Sequence, residues 1–338
     1  MTMTEPTVSR PNAEINKDGA FARQKNGFTT PFGDGPGELP AEAGKYRLIW
    51  CAACPWAHRA VIARRVLGLE NAIGLGTVSP MRPRLPHVDW EFSLDPDGVD
   101  PVLGVRYLSE VYRNADPDYS GRPTVPAMVD IATGQVANND YFKLTNYFET
   151  VWAPHHRENA PDLYPESLRG DIDALNELIF HEVNNGVYKC GFAHSQAAYE
   201  QAYETLFARL DELETRLSTR RFLHGDFITD SDVRLYTTLV RFDAAYYSAF
   251  RTNRNLIREF THLWGYVRDL YQTPGFGDTT DFDAIKRHYF LSITISPDRP
   301  EVAILPKGPD LSGWDSAHFR RELSRQDGKF HIPADGKR

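Results

Sequence analysis

The 338-residue sequence predicts an α/β domain followed by an all-helical domain, and three observations carry that reading. Apolar runs at 46–51 and 73–78 flank a helical pattern at 56–67, the strand–helix–strand spacing of a parallel crossover unit. Further on, Tyr199, Ala202, Tyr203, Leu206, Phe207, Leu210, Leu213 and Leu217 recur at helical spacing, within a stretch that reads as helical from about residue 165. The length suits two domains, each large enough to bury a core.

Residues 1–43 are rich in glycine, proline and polar side chains. They read as an irregular arm lying across the folded body, with Phe21, Phe28 and Phe32 as anchors. The α/β domain is placed at 44–160. Its first strand, 46–51, is a short buried run; helix 56–67 is closed by Gly68, and a second strand spans 73–78. Residues 80–115 form an unusually long connection. Pro80, Pro83, Pro86, Pro96 and Pro101 oppose regular structure there, and long ordered loops of this kind are often functional. This one carries Trp90, Phe92 and Tyr107, with a short helix over 107–114. A strand follows at 124–130, opened by Pro126, which has no amide to give a ladder. After the turn at Thr133-Gly134, a helix is expected to begin near Asp140. Its first amides either hold a carboxylate or are simply capped by Asn139 or Asp140.

The all-helical domain is placed at 161–290. The stripe from Tyr199 to Leu217 reads as core rather than as a cofactor site. Thr229-Asp230-Ser231-Asp232 opens another helix as a capping-box variant, with aspartate in place of Glu or Gln, and the helix continues over 234–247. A further helix spans 256–271. Beyond Thr273-Pro274-Gly275 the pattern breaks into a short segment, and 291–338 is an irregular tail punctuated by Pro297, Pro300, Pro306 and Pro309.

The most chemically informative stretch is Ala53-Cys54-Pro55-Trp56-Ala57-His58-Arg59, at the join of the first strand and helix. Proline at the first helical position costs no hydrogen bond, because that amide is unpaired anyway. The next free amides and the positive end of the helix dipole point back at the sulfur. Such placement lowers a thiol pKa from about 8.5 to roughly 3.5–7.5, so a thiolate is expected at neutral pH, with Arg59 adding positive potential. A buried structural cysteine is the competing reading; the coincidence of strand end, proline and helix start favours the reactive one. Counting forward from Cys54, the resolving position of a Cys-x-x-Cys site holds Ala57. Cys51 makes a formal Cys-x-x-Cys with Cys54 from the strand side, and a disulfide between the two is the alternative. A lone nucleophile needs an external thiol to resolve its mixed disulfide.

Composition narrows the classes further. The net charge is −8 with no basic patch, which argues against nucleic acid as partner. No apolar run approaches the ~18 residues of a membrane span. The polar start, with Glu5 and Glu14, has no signal-peptide core. Three cysteines do not make a disulfide framework, so a reducing cytoplasm is expected. His155-His156, His181 and His194 lack a metal-ligand spacing, so no metal is expected. Gly33-Asp34-Gly35-Pro36-Gly37 opens no dinucleotide-binding helix, and no Gly-x-Ser-x-Gly elbow occurs.

Together these features resemble a glutathione transferase, and more narrowly the Xi class, the glutathionyl-hydroquinone reductases. The resemblance runs from about residue 20 to 310. It is carried by Cys54-Pro55-Trp56-Ala57-His58-Arg59, Gly121-Arg122-Pro123-Thr124-Val125-Pro126 and Asn184-Asn185-Gly186-Val187-Tyr188-Lys189-Cys190-Gly191-Phe192-Ala193. Arg241-Phe242-Asp243, Leu270-Tyr271-Gln272, Lys286-Arg287-His288-Tyr289 and Pro306-Lys307-Gly308-Pro309 add to it. It implies a thioredoxin-like N-terminal domain followed by the all-helical transferase domain, a cis Val125-Pro126 peptide, and a homodimer. It also implies that Cys54 attacks the sulfur of a thiol-conjugated hydroquinone, expels the ring and keeps the thiol as a mixed disulfide. Tyr188 and Tyr289 match the family's aromatic-pocket tyrosines, whose hydroxyls hydrogen-bond the ring oxygen; from the residues alone, ordinary packing with satisfied hydroxyls is the plainer reading of each. Trp90, Thr124, Val125, Pro126, Asn139, Asp140 and Tyr141 fall at the thiol-binding site.

Two departures stand out. Where the family has Asn-Glu-Ser, this chain has Asn139-Asp140-Tyr141, so the residues that hold the γ-glutamyl group of glutathione are altered. The preferred thiol is then either glutathione with shifted contacts or another low-molecular-weight thiol, of which mycothiol is one candidate. The segment Phe290-Leu291-Ser292-Ile293 also lacks the family's histidine after serine, a change in the pocket lining. Two other functions compete: a general thioltransferase acting on mixed disulfides, and a non-enzymatic scaffold of the same fold.

Overall fold

The computed structural model describes residues 14–82, 88–293 and 303–333. Pro83, Pro86, Pro297 and Pro300, taken above as breakers, lie outside the described residues.

The first domain is built on β1 (Tyr46–Trp50), β2 (Gly74–Thr77), β3 (Ala127–Asp130) and β4 (Gln135–Asn138), in the order β2-β1-β3-β4. β1 runs parallel to β2, with Leu48 opposite Leu75, and antiparallel to β3, with Leu48 opposite Met128. β3 and β4 are antiparallel, with a register shift between Met128 and Val129. The crossover between β1 and β2 is α1 (Pro55–Leu67), stopped by Gly68 in the left-handed region at φ 74°. A side chain there would strain the backbone and collide with Arg157. α1 buries every residue but Arg65 because it packs on the sheet and also against α3 (Leu144–Glu149) and α7 (Asp230–Arg241).

The long connection after β2 carries a 3-10 turn at Pro96–Gly98 and α2 (Leu108–Ala115), close to the span expected. The strand expected at 124–130 begins only at Ala127, because Pro126 has no amide to give the ladder; the Val125-Pro126 peptide is cis. The helix expected near Asp140 begins at Leu144 instead. The cause is a turn: Asp140 Oδ1 accepts from the amides of Phe142 (3.1 Å) and Lys143 (3.3 Å) before the helix can start.

The helical domain follows as α4 (Arg169–Leu178), α5 (Gly186–Gly191), α6 (Gln196–Leu217), α7, α8 (Tyr247–Ala249), α9 (Thr261–Tyr271) and α10 (Phe282–His288). α6 turns Leu206, Leu210, Leu213 and Leu217 into the core, as its stripe predicted. α7 opens with the expected capping box, Asp232 Oδ2 accepting from the Thr229 amide at 2.8 Å. The other carboxylate oxygen takes the Leu223 amide and the Tyr266 hydroxyl, so one aspartate joins three segments.

The helix expected over 234–247 is α7 up to Arg241, a wider π-turn at Phe242–Tyr246, and α8. The helix expected over 256–271 is broken into a 3-10 turn at Ile257–Glu259 and α9, because Phe260 is extended. Two further π-turns occur at Ile179–Asn184 and Tyr289–Ile293. Asn184, Tyr246 and Tyr289 each stand at the edge of one of these turns, and such turns are frequent at functional sites.

The arm does lie across the body. Phe32 packs edge-on against Tyr46 and Trp152, and Phe28 against Tyr112. Asn139 ties the arm's backbone twice: its amide donates to Phe28 O at 2.8 Å, and its side-chain oxygen accepts from the Phe28 amide at 3.0 Å. Farther back, Phe21 packs on Phe192 of the helical domain. The tail is also held: Arg320 donates to the carbonyls of Leu217 and Arg221, and Lys329 pairs with Asp269 at 2.9 Å.

Candidate active site

Cys54 is the N-cap of α1, extended at φ −80° and ψ 118°, with Pro55 as the first helical residue. The chain turns tightly into it, the Cys54 amide donating to Cys51 O at 2.9 Å. Its thiol donates at 3.5 Å to Val125 O, the carbonyl oxygen of the cis Val125-Pro126 peptide. Only 7 % of Cys54 is exposed. This corrects the expectation of a lowered pKa. Burial pushes the thiol up, and the Ala57 and Trp56 amides and the charges of Arg241 and Arg23 pull it back only in part. The helix-start amides act as predicted, but the desolvation of a closed pocket outweighs them. Arg59, expected to add positive potential, is in electrostatic reach of Cys54, while its guanidinium binds Asn184 Oδ1 at 2.6 Å and lies 4.6 Å from the centre of the Trp56 ring.

The strongest support of the loop before Cys54 comes from the helical domain. Arg241, at the end of α7, is fully buried. Its Nε donates to Ala53 O and Nη2 to Ala52 O, both at 2.9 Å, while Nη1 reaches Thr237 O at 2.8 Å and His58 Nδ1 at 3.1 Å. A guanidinium has no acceptor, so His58 must receive at Nδ1 and carry its proton on Nε2, which faces Thr279 Oγ1 at 2.8 Å. Burial and Arg241 hold the His58 pKa well below the ordinary range, so the imidazole stays neutral and remains an acceptor.

Within electrostatic reach of both the thiol and Arg241 stands a cluster of tyrosines. Tyr188 OH and Tyr289 OH are 2.7 Å apart, and Tyr246 OH lies 3.0 Å from Tyr289 OH. Burial raises all three pKa values, so the hydroxyls keep their protons; Cys54 is near enough to add to the rise at Tyr188. Trp90 is stacked on His288, the residue before Tyr289, with ring centres 5.3 Å apart. Contacts thus run from Val125 through Cys54 to Tyr188 and Tyr289, and Trp90 lies beside His288, the neighbour of Tyr289. The Tyr112 hydroxyl donates to Thr124 O at 2.7 Å, and Asn139 Nδ2 reaches both Tyr112 OH and Thr124 Oγ1. Asn139 is therefore engaged with the protein, fixing the arm to the Val125 segment. Tyr141 packs its ring against Trp56, 4.9 Å between centres.

Cys51 is fully buried, its thiol faces Ser79 O at 3.8 Å, and burial pushes its pKa up to about 12. Cys51, Cys54 and Cys190 are all free thiols. Cys51→Ser is expected to leave turnover within about threefold of wild type, since a thiol of this kind is not ionised at working pH. A loss of tenfold or more in steady-state assays would bring back the dithiol scheme.

Comparison with known proteins places this geometry in a family. Residues 196–269 match the family model for the glutathione S-transferase C-terminal domain. The chain is 39 % identical over 312 residues to the glutathionyl-hydroquinone reductase YqjG of Escherichia coli, covering 89 % of this chain and 92 % of that protein. YqjG has also been solved with glutathione bound. A glutathione transferase from Gordonia bronchialis superposes with a TM-score of 0.81 at 52 % identity, covering 87 % of this chain and 90 % of that one. The Xi glutathione transferase of Phanerochaete chrysosporium gives 0.80 at 39 % identity, with 87 % and 94 % covered. The chain belongs to the Xi-class glutathione transferases. Its sheet domain with a helical domain behind it is the transferase fold that the sequence predicted.

In this Xi-class chain the indole Nε1 atoms of Trp56 and Trp90 are buried without hydrogen-bond partners. Among the described residues, no group of three or more metal-ligating side chains comes together and no helix is long and apolar enough to cross a membrane. Sequence reading gave no role to Arg23, His58, Arg241 or Tyr246. Arg241 had been noted within a family motif; the signal for its role was a charged residue at the end of a helix with no solvent face.

Proposed function

We propose that this protein is a thiol-dependent reductase that removes glutathione from S-conjugated hydroquinones. The observation that carries the reading is a single thiol at a helix start, with no resolving partner, facing a cluster of protonated tyrosine hydroxyls. The conjugate reacts as its keto tautomer, with a proton on the sulfur-bearing carbon. Cys54 gives up its proton and attacks the conjugate's sulfur: the Cys54–sulfur bond forms and the sulfur–carbon bond breaks. The electron pair restores the aromatic ring and passes to its oxygen, which takes up a proton. Tyr188 and Tyr289, backed by Tyr246, donate to the ring oxygen as charge develops there. A second glutathione thiolate then attacks the mixed disulfide, leaving as glutathione disulfide and restoring Cys54. The two thiols together supply the two electrons the ring gains.

The thiol site of this proposal uses the Val125 backbone before Pro126, the free indole donors of Trp90 and Trp56, and Asp140 with Tyr141. Relatives named for glutathione support that thiol as cosubstrate. Membership of the family supports a homodimer, and three free thiols suit a reducing cytoplasm. The deciding assay is reduction of menadione hydroquinone conjugates of glutathione and of mycothiol, each with its own thiol. Turnover with glutathione is expected. Turnover with mycothiol alone would overturn the cosubstrate, and activity confined to mixed disulfides would overturn the substrate class.

A further inference from the structure

The arm carries an uncompensated cation into this site. The Arg23 guanidinium carbon lies 4.5 Å from the centre of the Trp56 ring and 4.6 Å from that of Tyr188, with the Phe21 ring 5.2 Å away. Its Nε donates to Asn185 Oδ1 at 2.9 Å. Nη2 is buried and has no hydrogen-bond partner, and among the described residues no carboxylate pairs with Arg23. Aromatic faces hold a cation in place without neutralising it. A buried donor left empty on such a cation costs more than a neutral one, so the site is built for an anion.

Two anions arise in the reaction. The Cys54 thiolate already has two helix-start amides and Arg241 beside it, and Arg23 adds a smaller pull of the same sign. The charge released to the ring meets neutral tyrosine hydroxyls; Arg241 adds positive potential at Tyr246 and Tyr289, and Arg23 packs directly against the ring of Tyr188. We propose that Arg23 is a catalytic residue whose free Nη2 donates to the hydroquinone oxygen and takes up the charge released when the sulfur–ring bond breaks. The proposal rests on the reductase reading for its substrate, while the anion site itself does not.

The test compares wild type, Arg23→Gln and Arg23→Lys on glutathionyl hydroquinones whose rings span alkyl to chlorinated substituents. Arg23→Gln is expected to lower kcat on the order of 100-fold for the least acidic ring and progressively less as ring acidity rises, with Arg23→Lys between. The KM for the second thiol should not move. An equal loss across the series, a loss confined to that KM, or an altered pH profile of Cys54 alkylation with no ring dependence would overturn the role. The arm's Phe28 and Phe32 anchors are independent of Arg23, so the variants keep the fold. A second measurement needs no turnover: wild type should lower the apparent pKa of bound 4-nitrophenol, read by its phenolate absorbance, and Arg23→Gln should not. If wild type shows no shift, the anion site is refuted. A shift without turnover of any conjugate would refute the reductase reading and leave the anion site standing.

Discussion

Replacing Cys54 by alanine is expected to abolish turnover, by on the order of a thousandfold or more, while the protein stays folded. The side chain contributes little to the structure, since its one contact of note is the weak thiol bond to Val125 O at 3.5 Å. The turn and helix start are held by backbone groups, Cys54 N to Cys51 O and His58 N to Cys54 O, which alanine keeps. Pro55 at the first helical position is also unchanged. Turnover and thermal unfolding measured on the same preparation check this. A folded variant that still reduces the conjugate would sink the mixed-disulfide mechanism.

The second large effect is expected at Arg241. Arg241→Met removes the donors to Ala52 O, Ala53 O, Thr237 O and His58 Nδ1 at once, in a place water does not reach. At about 1–3 kcal/mol per buried group left without a partner, a loss of roughly 3–5 kcal/mol in unfolding free energy follows after partial relaxation. Chemical denaturation measures it. The charge has a separate effect of known sign: Arg241 lowers the Cys54 pKa, so its loss must raise it. The pH profile of iodoacetamide alkylation should move to higher pH, in conditions where the variant is still folded. Arg241→Lys keeps a positive charge but not the fork that spans two carbonyls. It should restore part of the pH profile and little of the stability. An unshifted alkylation profile in Arg241→Met would show that the arginine holds the loop without acting on the sulfur.

Local signals were legible where local physics decides. The Cys54-Pro55 helix start, the Gly68 stop and the α6 stripe each depend on a few neighbouring residues, and the structure places them within a residue or two of expectation. The Asp140 turn was misread because an aspartate offers its oxygen equally to a helix cap and to a turn that delays the helix. The breaks at Phe242 and Phe260 leave no breaker residue in the sequence. The Cys54 pKa was misjudged for another reason: helix-start amides are visible in a motif, whereas desolvation depends on everything folded over it. Arg23 and Arg241 lie 31 and 187 positions from Cys54 in the chain, and no spacing rule links such separations.

The hold of α7 on the carbonyls before Cys54 bears on how this architecture can change over generations. A thioredoxin-like unit with an exposed thiol is often pictured as a portable module. Here the alignment of the nucleophile is a shared property, since the group that fixes its loop belongs to the other half of the chain. A recombinant lineage that exchanged its helical half for one without an arginine at that point would inherit a folded hybrid with an unsteady thiol. The two halves must therefore drift together, and a substitution tolerated in one is judged by the other.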